Sequence, residues 1–85
     1  MNITLRFFAS VRETLGASQQ ALTVPADVTT VGEVRQLLLA RGGVWAEALN
    51  QNRTLRMACN QVMCSADAVL SDGCEVAFFP PVTGG

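Results

Sequence analysis

The stretch TVGEVRQLLLARGG, residues 30–43, decides the fold of this chain. Thr30 and Glu33 have the spacing of a capping box, in which each side chain accepts a hydrogen bond from a backbone amide at the start of a helix. Gly42 follows the apolar run and is typical of a helix end. The sequence therefore predicts one main helix over residues 31–41, which packs on a sheet through one stripe. The stripe consists of Val31, Val34, Leu37, Leu38 and Arg41.

Four segments around this helix have the character of β-strands. Residues 2–8 and 74–79 place alternate side chains on opposite faces, and residues 21–24 and 55–63 contain shorter strands. Because strand side chains alternate between two faces, each end strand has one face that suits a core. The residues expected on those core faces are Ile3, Leu5, Phe7, Val76 and Phe78.

Shorter signals divide these segments. Ser10 and Glu13 form a second capping-box pattern, which predicts a short helix that ends at Gly16. Residues 71–73, Ser-Asp-Gly, predict a turn before the last strand. Trp45 lies in a short helical or irregular segment after the main helix, and we expect it to cover the core.

The order of these elements is strand, short helix, strand, main helix, short strands and last strand. One main helix covers one face of a small mixed sheet and leaves the other face open. The sequence thus predicts an α+β, ubiquitin-like β-grasp domain over residues 1–79 with about five strands, followed by a flexible tail over residues 80–85. Phe8 and Phe79 fall on the open face, where they form one patch if the first and last strands are neighbours.

Composition excludes several classes of function. The 85 residues include no His, Lys or Tyr, and the six basic residues are all Arg. Without His, no side chain has an unperturbed pKa near neutrality, and without Lys there is no side-chain amine nucleophile. We therefore expect that this chain is not an enzyme on its own and that it acts as a non-catalytic subunit.

The balance of apolar and charged residues bears on partners and location. Apolar residues make up 49% of the sequence and charged residues 15%, which predicts either an exposed apolar patch or scattered exposed apolar side chains. The net charge of −1 and the dispersed arginines predict no binding of nucleic acid. No apolar run is long enough for a membrane span, and the first residues lack signal-peptide features, so we expect a cytoplasmic protein.

Three cysteines, Cys59, Cys64 and Cys74, are expected to be reduced thiols. Their odd number argues against a disulfide framework, and their spacing without any His does not suit zinc. Cys59 is the one expected to be buried.

The chain ends in FFPPVTGG, residues 78–85. Pro80 and Pro81 stop the last strand and favour an extended stalk. Gly84 and Gly85 have no side chain, so the terminal carboxylate is uncrowded and the tip can enter a narrow tunnel. Such a tail suits a carboxylate that is activated as an acyl-adenylate, converted to a thiocarboxylate and delivered to another protein's active site. A frayed chain end is the simpler alternative, because terminal residues are commonly disordered.

Taken together, these features resemble a known family. Residues 72–85, DGCEVAFFPPVTGG, are similar to the C-terminal signature of the small-subunit family of molybdopterin synthase. The residues FFA and VRE within 7–13, and Asn-Gln at 60–61, also resemble that family, so the similarity spans essentially the whole chain. Cys64 and Cys74 depart from the family pattern.

The resemblance implies a site and a set of partners. Gly85 would carry the acyl-adenylate and then the thiocarboxylate, and Gly84 would thread the partner's tunnel. An E1-like adenylyltransferase would use ATP to activate the tail, and no cofactor would stay bound to the chain. Within the large subunit of the synthase, the sulfur would pass to cyclic pyranopterin monophosphate for molybdenum cofactor biosynthesis. The residues implied in partner binding are Phe8, Arg12, Met63, Phe79, Pro80, Pro81, Val82 and Thr83.

Two alternatives stay open at this point. The same carrier chemistry could serve thiamine synthesis, tRNA thiolation or another sulfur acceptor, since the tail alone does not specify the acceptor. The chain could also be a ubiquitin-like interaction module with an inert tail, in which the Phe8 and Phe79 patch would be the functional feature.

Overall fold

The computed structural model describes residues 1–81 of the chain. Five strands and three helices follow one another in the predicted order. They are β1 (Asn2–Phe7), α1 (Ala9–Leu15), β2 (Gln19–Thr23), α2 (Val31–Leu39), α3 (Gly43–Ala48), β3 (Arg56–Cys59), β4 (Val62–Cys64) and β5 (Glu75–Phe79).

The five strands form one mixed sheet in the order β2-β1-β5-β3-β4. β1 and β5 pair in parallel at the centre, with Leu5 opposite Val76 and Phe7 opposite Phe78. The other neighbours are antiparallel. The prediction that the first and last strands are neighbours is therefore confirmed, and so is the α+β class with a β-grasp arrangement.

The main helix α2 begins as the sequence predicts. Thr30 Oγ1 accepts a hydrogen bond from Glu33 N at 3.2 Å, and Glu33 Oε1 accepts one from Thr30 N at 3.1 Å, which completes the capping box. Val31, Val34 and Leu38 are fully buried against the sheet. Together with the inward residues of β1 and β5 they form the core, as expected from their spacing.

The predicted end of the main helix is wrong by two residues. α2 ends at Leu39, because Gly42 has a left-handed φ of 70° and turns the chain into α3. Arg41, predicted on the packed stripe, is exposed instead, and its guanidinium stacks on the ring of Trp45 at 4.7 Å. Trp45 in turn meets Phe7 edge-on, with ring centroids 5.8 Å apart, so it covers the core as expected.

The capping box predicted at Ser10 is also wrong. β1 leads directly into α1, so the extended residue Phe8 becomes the N-cap and Ser10 lies inside the helix. Ser10 Oγ instead accepts a hydrogen bond from Arg53 Nη2 at 3.0 Å. The predicted end at Gly16 is confirmed, since Gly16 has a φ of 73° and donates its N–H to Arg12 O at 2.8 Å.

A buried arginine was not expected. The Arg35 side chain is only 8% exposed, and its guanidinium donates to three backbone carbonyls. Nε donates to Leu49 O at 2.9 Å, and Nη2 donates to Asn50 O at 2.6 Å and to Arg53 O at 3.2 Å. Burial lowers the pKa of Arg35. The side chain thereby ties α2 to the segment that follows α3.

The cysteines are free thiols, but the predicted order of burial is wrong. Cys74 is buried at 2% exposure, because it directly precedes the central strand β5. Cys59 is only partly buried, because it ends β3 next to the turn at Asn60 and Gln61.

Within residues 1–81, no helix has the length and apolar character that crossing a membrane requires.

Candidate docking site on the open sheet face

One face of the sheet carries no main helix. The register aligns Arg6 with Ala77 on β5, Ala77 with Ala58 on β3, and Ala58 with Met63 on β4. Because neighbours in register point to the same side, these residues form a row across four strands, opposite the core. The residues of this face around the row are Arg6, Phe8, Arg56, Ala58, Met63, Ala77 and Phe79.

Phe8 and Phe79 form an aromatic patch at one end of this face. Their ring centroids are 6.2 Å apart and their planes are at 89°, an edge-to-face contact. Phe8 is 42% exposed although it is a large apolar residue. Beside the rings is a shallow apolar pocket of about 280 Å³ that is lined by Phe8, Ala9, Phe79 and Pro80. The predicted patch is thus present, and it can accept apolar groups of a partner.

Arg6 and Arg56 border the patch. The sequence analysis assigned neither of them to a site. The Arg6 guanidinium lies over the Phe8 ring, with Cζ 5.7 Å from the centroid. Arg56 is directly opposite Phe79 in the β3–β5 register. Alternation along β1 already placed Arg6 on the same face as Phe8, but nothing in the sequence alone gave the register that brings Arg56 beside Phe79.

Met63 lies on the same face but apart from the aromatic patch. It is on the edge strand β4 and is 56% exposed. Between Met63 and Arg6 on β1 lie Ala58 and Ala77, which are 6% and 5% exposed, so small side chains occupy the middle of the face. Met63 also lines a second shallow pocket of about 440 Å³ at the ends of β3 and β4. The structure therefore places Met63 at the far margin of the candidate site.

Arg12 and the two prolines complete the described part of the predicted site. Arg12 is exposed on α1 one turn beyond Phe8, and its backbone N–H donates to Phe8 O at 3.4 Å. Pro80 and Pro81 are partly buried and follow β5 directly beside the aromatic patch. The remaining predicted residues are outside the described part of the chain: Val82, Thr83, Gly84 and Gly85.

The thiols of Cys59 and Cys64 are not activated as nucleophiles. Burial raises the pKa of the Cys59 thiol, and the neighbouring Cys74 raises it further. Burial also raises the pKa of Cys64. Since the thiolate is the reactive form, these thiols are poorly activated at neutral pH. Within residues 1–81, no three or more His, Cys, Asp or Glu side chains are grouped so that they could hold a metal ion.

The chain is similar to two curated proteins over nearly its whole length. The chain is 49% identical to the molybdopterin synthase sulfur carrier subunit of Escherichia coli (strain K12) over 83 residues, which are 98% of this chain and 99% of that protein. It is 39% identical to the subunit of the same name from Haemophilus influenzae, with the same coverage.

Solved structures share the fold. The HVO 2177 protein of Haloferax volcanii has a TM-score of 0.78 at 31% identity, covering 100% of this chain and 87% of that one. In a complex of subunits 1 and 2 of the molybdopterin-converting factor from Helicobacter pylori, the matching chain has a TM-score of 0.68 at 21% identity, with both chains covered in full. That similarity shows the fold alone. The ThiS family model matches residues 5–85, and the chain therefore belongs to the ThiS family.

Proposed function

We propose that this protein is the sulfur carrier subunit of a molybdopterin synthase. The observation that carries the proposal is the similarity, over nearly the whole chain, to two curated subunits of that name. The open face supports it, because a carrier that only presents its tail needs a surface by which other proteins hold it. Phe8 and Phe79 provide such a surface next to the start of the tail.

The proposed chemistry takes place on the carboxylate of Gly85. A carboxylate oxygen attacks the α-phosphorus of ATP in an E1-like adenylyltransferase, and pyrophosphate leaves. A sulfur donor then displaces AMP from the acyl carbon and leaves a thiocarboxylate. In the large synthase subunit this sulfur attacks cyclic pyranopterin monophosphate, and water then cleaves the bond between the sulfur and the acyl carbon, so that the sulfur stays on the pterin and Gly85 returns to a carboxylate. The catalytic side chains belong to the partners in each step.

The fold determines where the chain leaves the sheet relative to the docking surface. β5 is the central strand and ends at Phe79, so the chain leaves the sheet at Pro80, beside the aromatic patch. Fully extended, six residues reach about 20 Å at about 3.3 Å each. A partner that covers Phe8 and Phe79 would therefore receive Gly84 and Gly85 within about 20 Å of the docking surface.

Intact-mass measurement tests the carrier chemistry. The full chain would be incubated with the activating enzyme of its own organism, ATP and a sulfur source. We expect a mass increase that corresponds to replacement of one oxygen by one sulfur, and no increase when ATP is omitted. An unchanged mass, under conditions that load the Escherichia coli subunit with its own activating enzyme, would contradict the proposal.

Complementation then identifies the pathway. Expression of the chain in a strain that lacks its own small synthase subunit should restore molybdoenzyme activity. A chain that gains sulfur but restores only thiamine synthesis or tRNA thiolation would be a carrier for that other acceptor. A chain that restores activity without Gly84 and Gly85 would be an interaction module with an inert tail.

A further inference from the structure

The open face carries an uneven distribution of charge. The five strands contain two arginines, Arg6 and Arg56, and one carboxylate, Glu75. Arg6 lies over the Phe8 ring and Arg56 is opposite Phe79, whereas Glu75 begins β5 opposite Thr4. Glu75 lies four positions before Phe79 on β5, a distance of about 13 Å at about 3.3 Å per residue. The region around the two rings is therefore locally positive, although the whole chain has a net charge of −1.

The two arginines and the two rings form a continuous line. Arg6 stacks on Phe8, Phe8 meets Phe79 edge-on, and Phe79 is opposite Arg56 in register. A guanidinium that lies along a ring buries its flat face and keeps N–H donors at its edge. The line therefore presents an apolar centre with a cationic group at each end.

Arg6 has an unpaired donor among the described residues. Its Nε is shielded from solvent and has no hydrogen-bond acceptor within residues 1–81. This contrasts with Arg35 and Arg53, whose guanidinium groups bind carbonyl or hydroxyl oxygens.

A partner that covers the rings must also cover the arginine edges. Burying an uncompensated charge costs several kcal/mol of binding free energy, so a partner without acceptors at these two positions would be rejected. A carboxylate matches the planar fork of a guanidinium better than any other protein group.

We propose that the partner surface which docks on Phe8 and Phe79 carries carboxylates opposite Arg6 and Arg56, and that these two arginines select that partner. The occupant is thus a protein face with an apolar recess for two aromatic rings and acidic groups on both sides of it. This inference rests on the proposed function, because the partner in its test is the large synthase subunit.

The test measures binding of the full chain to the large subunit from its own organism, at low and at high salt. The variants are Arg6→Glu, Arg56→Glu, Arg6→Gln and Arg56→Gln. Charge reversal should weaken binding by at least about tenfold at low salt, because it places like charges in contact. The Gln variants should lose less affinity. In all four variants, the association rate should depend less on the salt concentration than it does in the wild type.

Arg41→Glu is the matched control, since it changes the net charge equally. Arg41 stacks on Trp45 on the helical side of the sheet, away from the open face. Thermal unfolding of each variant distinguishes loss of binding from loss of the folded state. If a Glu variant is unstable, the corresponding Gln variant, which keeps a polar side chain of similar length, still tests the charge.

The possible results separate the two proposals. Wild-type binding with a selective loss in the Arg6 and Arg56 variants supports the inference. Wild-type binding that these variants reduce no more than Arg41→Glu overturns the inference and leaves the proposed function intact. An Arg56→Leu variant that binds as tightly as the wild type also overturns it. A wild-type chain that neither binds the large subunit nor gains sulfur overturns the proposed function, and the inference with it.

Discussion

At the scale of single residues, Phe79 connects the docking surface to the tail. It is the last residue of the central strand, its ring contacts Phe8, and the segment with the two prolines begins immediately after it. A side chain in this position can affect binding of a partner without taking part in the chemistry at Gly85.

Phe79→Ala should therefore weaken binding to the large subunit by about 1–3 kcal/mol, the range of an aromatic anchor at an interface. Calorimetry measures this loss, and intact mass measures sulfur loading. Val44→Ala is a suitable control, because Val44 is 48% exposed on α3 and away from the open face. If Phe79→Ala bound normally and only loading failed, the separation of docking from chemistry would be wrong.

Gly32 is a second residue whose role depends on its neighbours. A Cβ placed there would lie 2.8 Å from Ala66 Cβ and 3.1 Å from Ala66 O. Gly32 N also donates to that same oxygen at 2.9 Å, so α2 and the loop that contains Ala66 cannot easily separate.

Gly32→Ala should destabilise the protein by about 1–3 kcal/mol, the usual cost of an overpacked contact. Helix propensity alone would change the free energy of unfolding in the opposite direction, because it favours Ala over Gly by about 1 kcal/mol. Urea unfolding of Gly32→Ala, compared with Gln36→Ala at an exposed position of the same helix, measures the difference. A stabilised Gly32→Ala variant would show that the loop moves away at little cost.

At the scale of elements, α2 depends on its N-terminus. The Glu33 carboxylate accepts hydrogen bonds from Thr29 N, Thr29 Oγ1 and Thr30 N at 3.0–3.1 Å. These bonds, first those of Thr29 and then those of Thr30, lower the pKa of Glu33 below its ordinary value of 4.5. A carboxyl group with a lowered pKa in the folded state stabilises the protein above its unfolded pKa and loses that contribution as pH falls.

Glu33→Gln should accordingly reduce the pH dependence of stability. The wild type should lose stability as pH falls from about 5 through the lowered pKa of Glu33, and the variant should lose less over the same window. Thermal unfolding at a series of pH values measures both curves, with Glu13→Gln on α1 as the control. Parallel curves for wild type and Glu33→Gln would count against this account of the cap.

How far the elements could be predicted depended on the range of the interactions that set them. The cap at Thr30 and the burial of Val31, Val34 and Leu38 are local patterns, and the structure confirms them. On β5, Val76 and Phe78 are buried as predicted, but Ala77 on the opposite face is buried too. The cap at Ser10 failed because the position at which β1 ends decides it. Arg35 was missed because its acceptors lie 14–18 residues away in sequence. Arg56 was missed because its place beside Phe79 follows from the strand register.

At the scale of the whole molecule, the proposed docking surface and the proposed site of sulfur transfer are different parts of the chain. The open face lies in residues 1–81, and the proposed reactive group is on Gly85. Both are needed for the proposed function, and they can be removed separately.

Deletion of Gly84 and Gly85 should leave thermal stability and binding to the large subunit nearly unchanged, because the core and the aromatic patch do not include them. Sulfur loading and restored molybdoenzyme activity should be lost completely. Calorimetry, intact mass and complementation of the same variant give the three readouts. Retained molybdoenzyme activity would contradict the proposed role of the tail.

The parallel pairing of β1 with β5 also has a consequence for the synthesis of this protein. Leu5 pairs with Val76, so the centre of the sheet joins the part of the chain that leaves the ribosome early to a part that leaves late. The antiparallel β1–β2 pair and α2 are complete in sequence before β5 is synthesised, but they lack the strand that joins them to β3 and β4. A polypeptide that stops before β5 exposes an unfinished core and is a substrate for proteases. Such a chain also lacks Phe79, so it has neither the aromatic patch nor a tail to deliver.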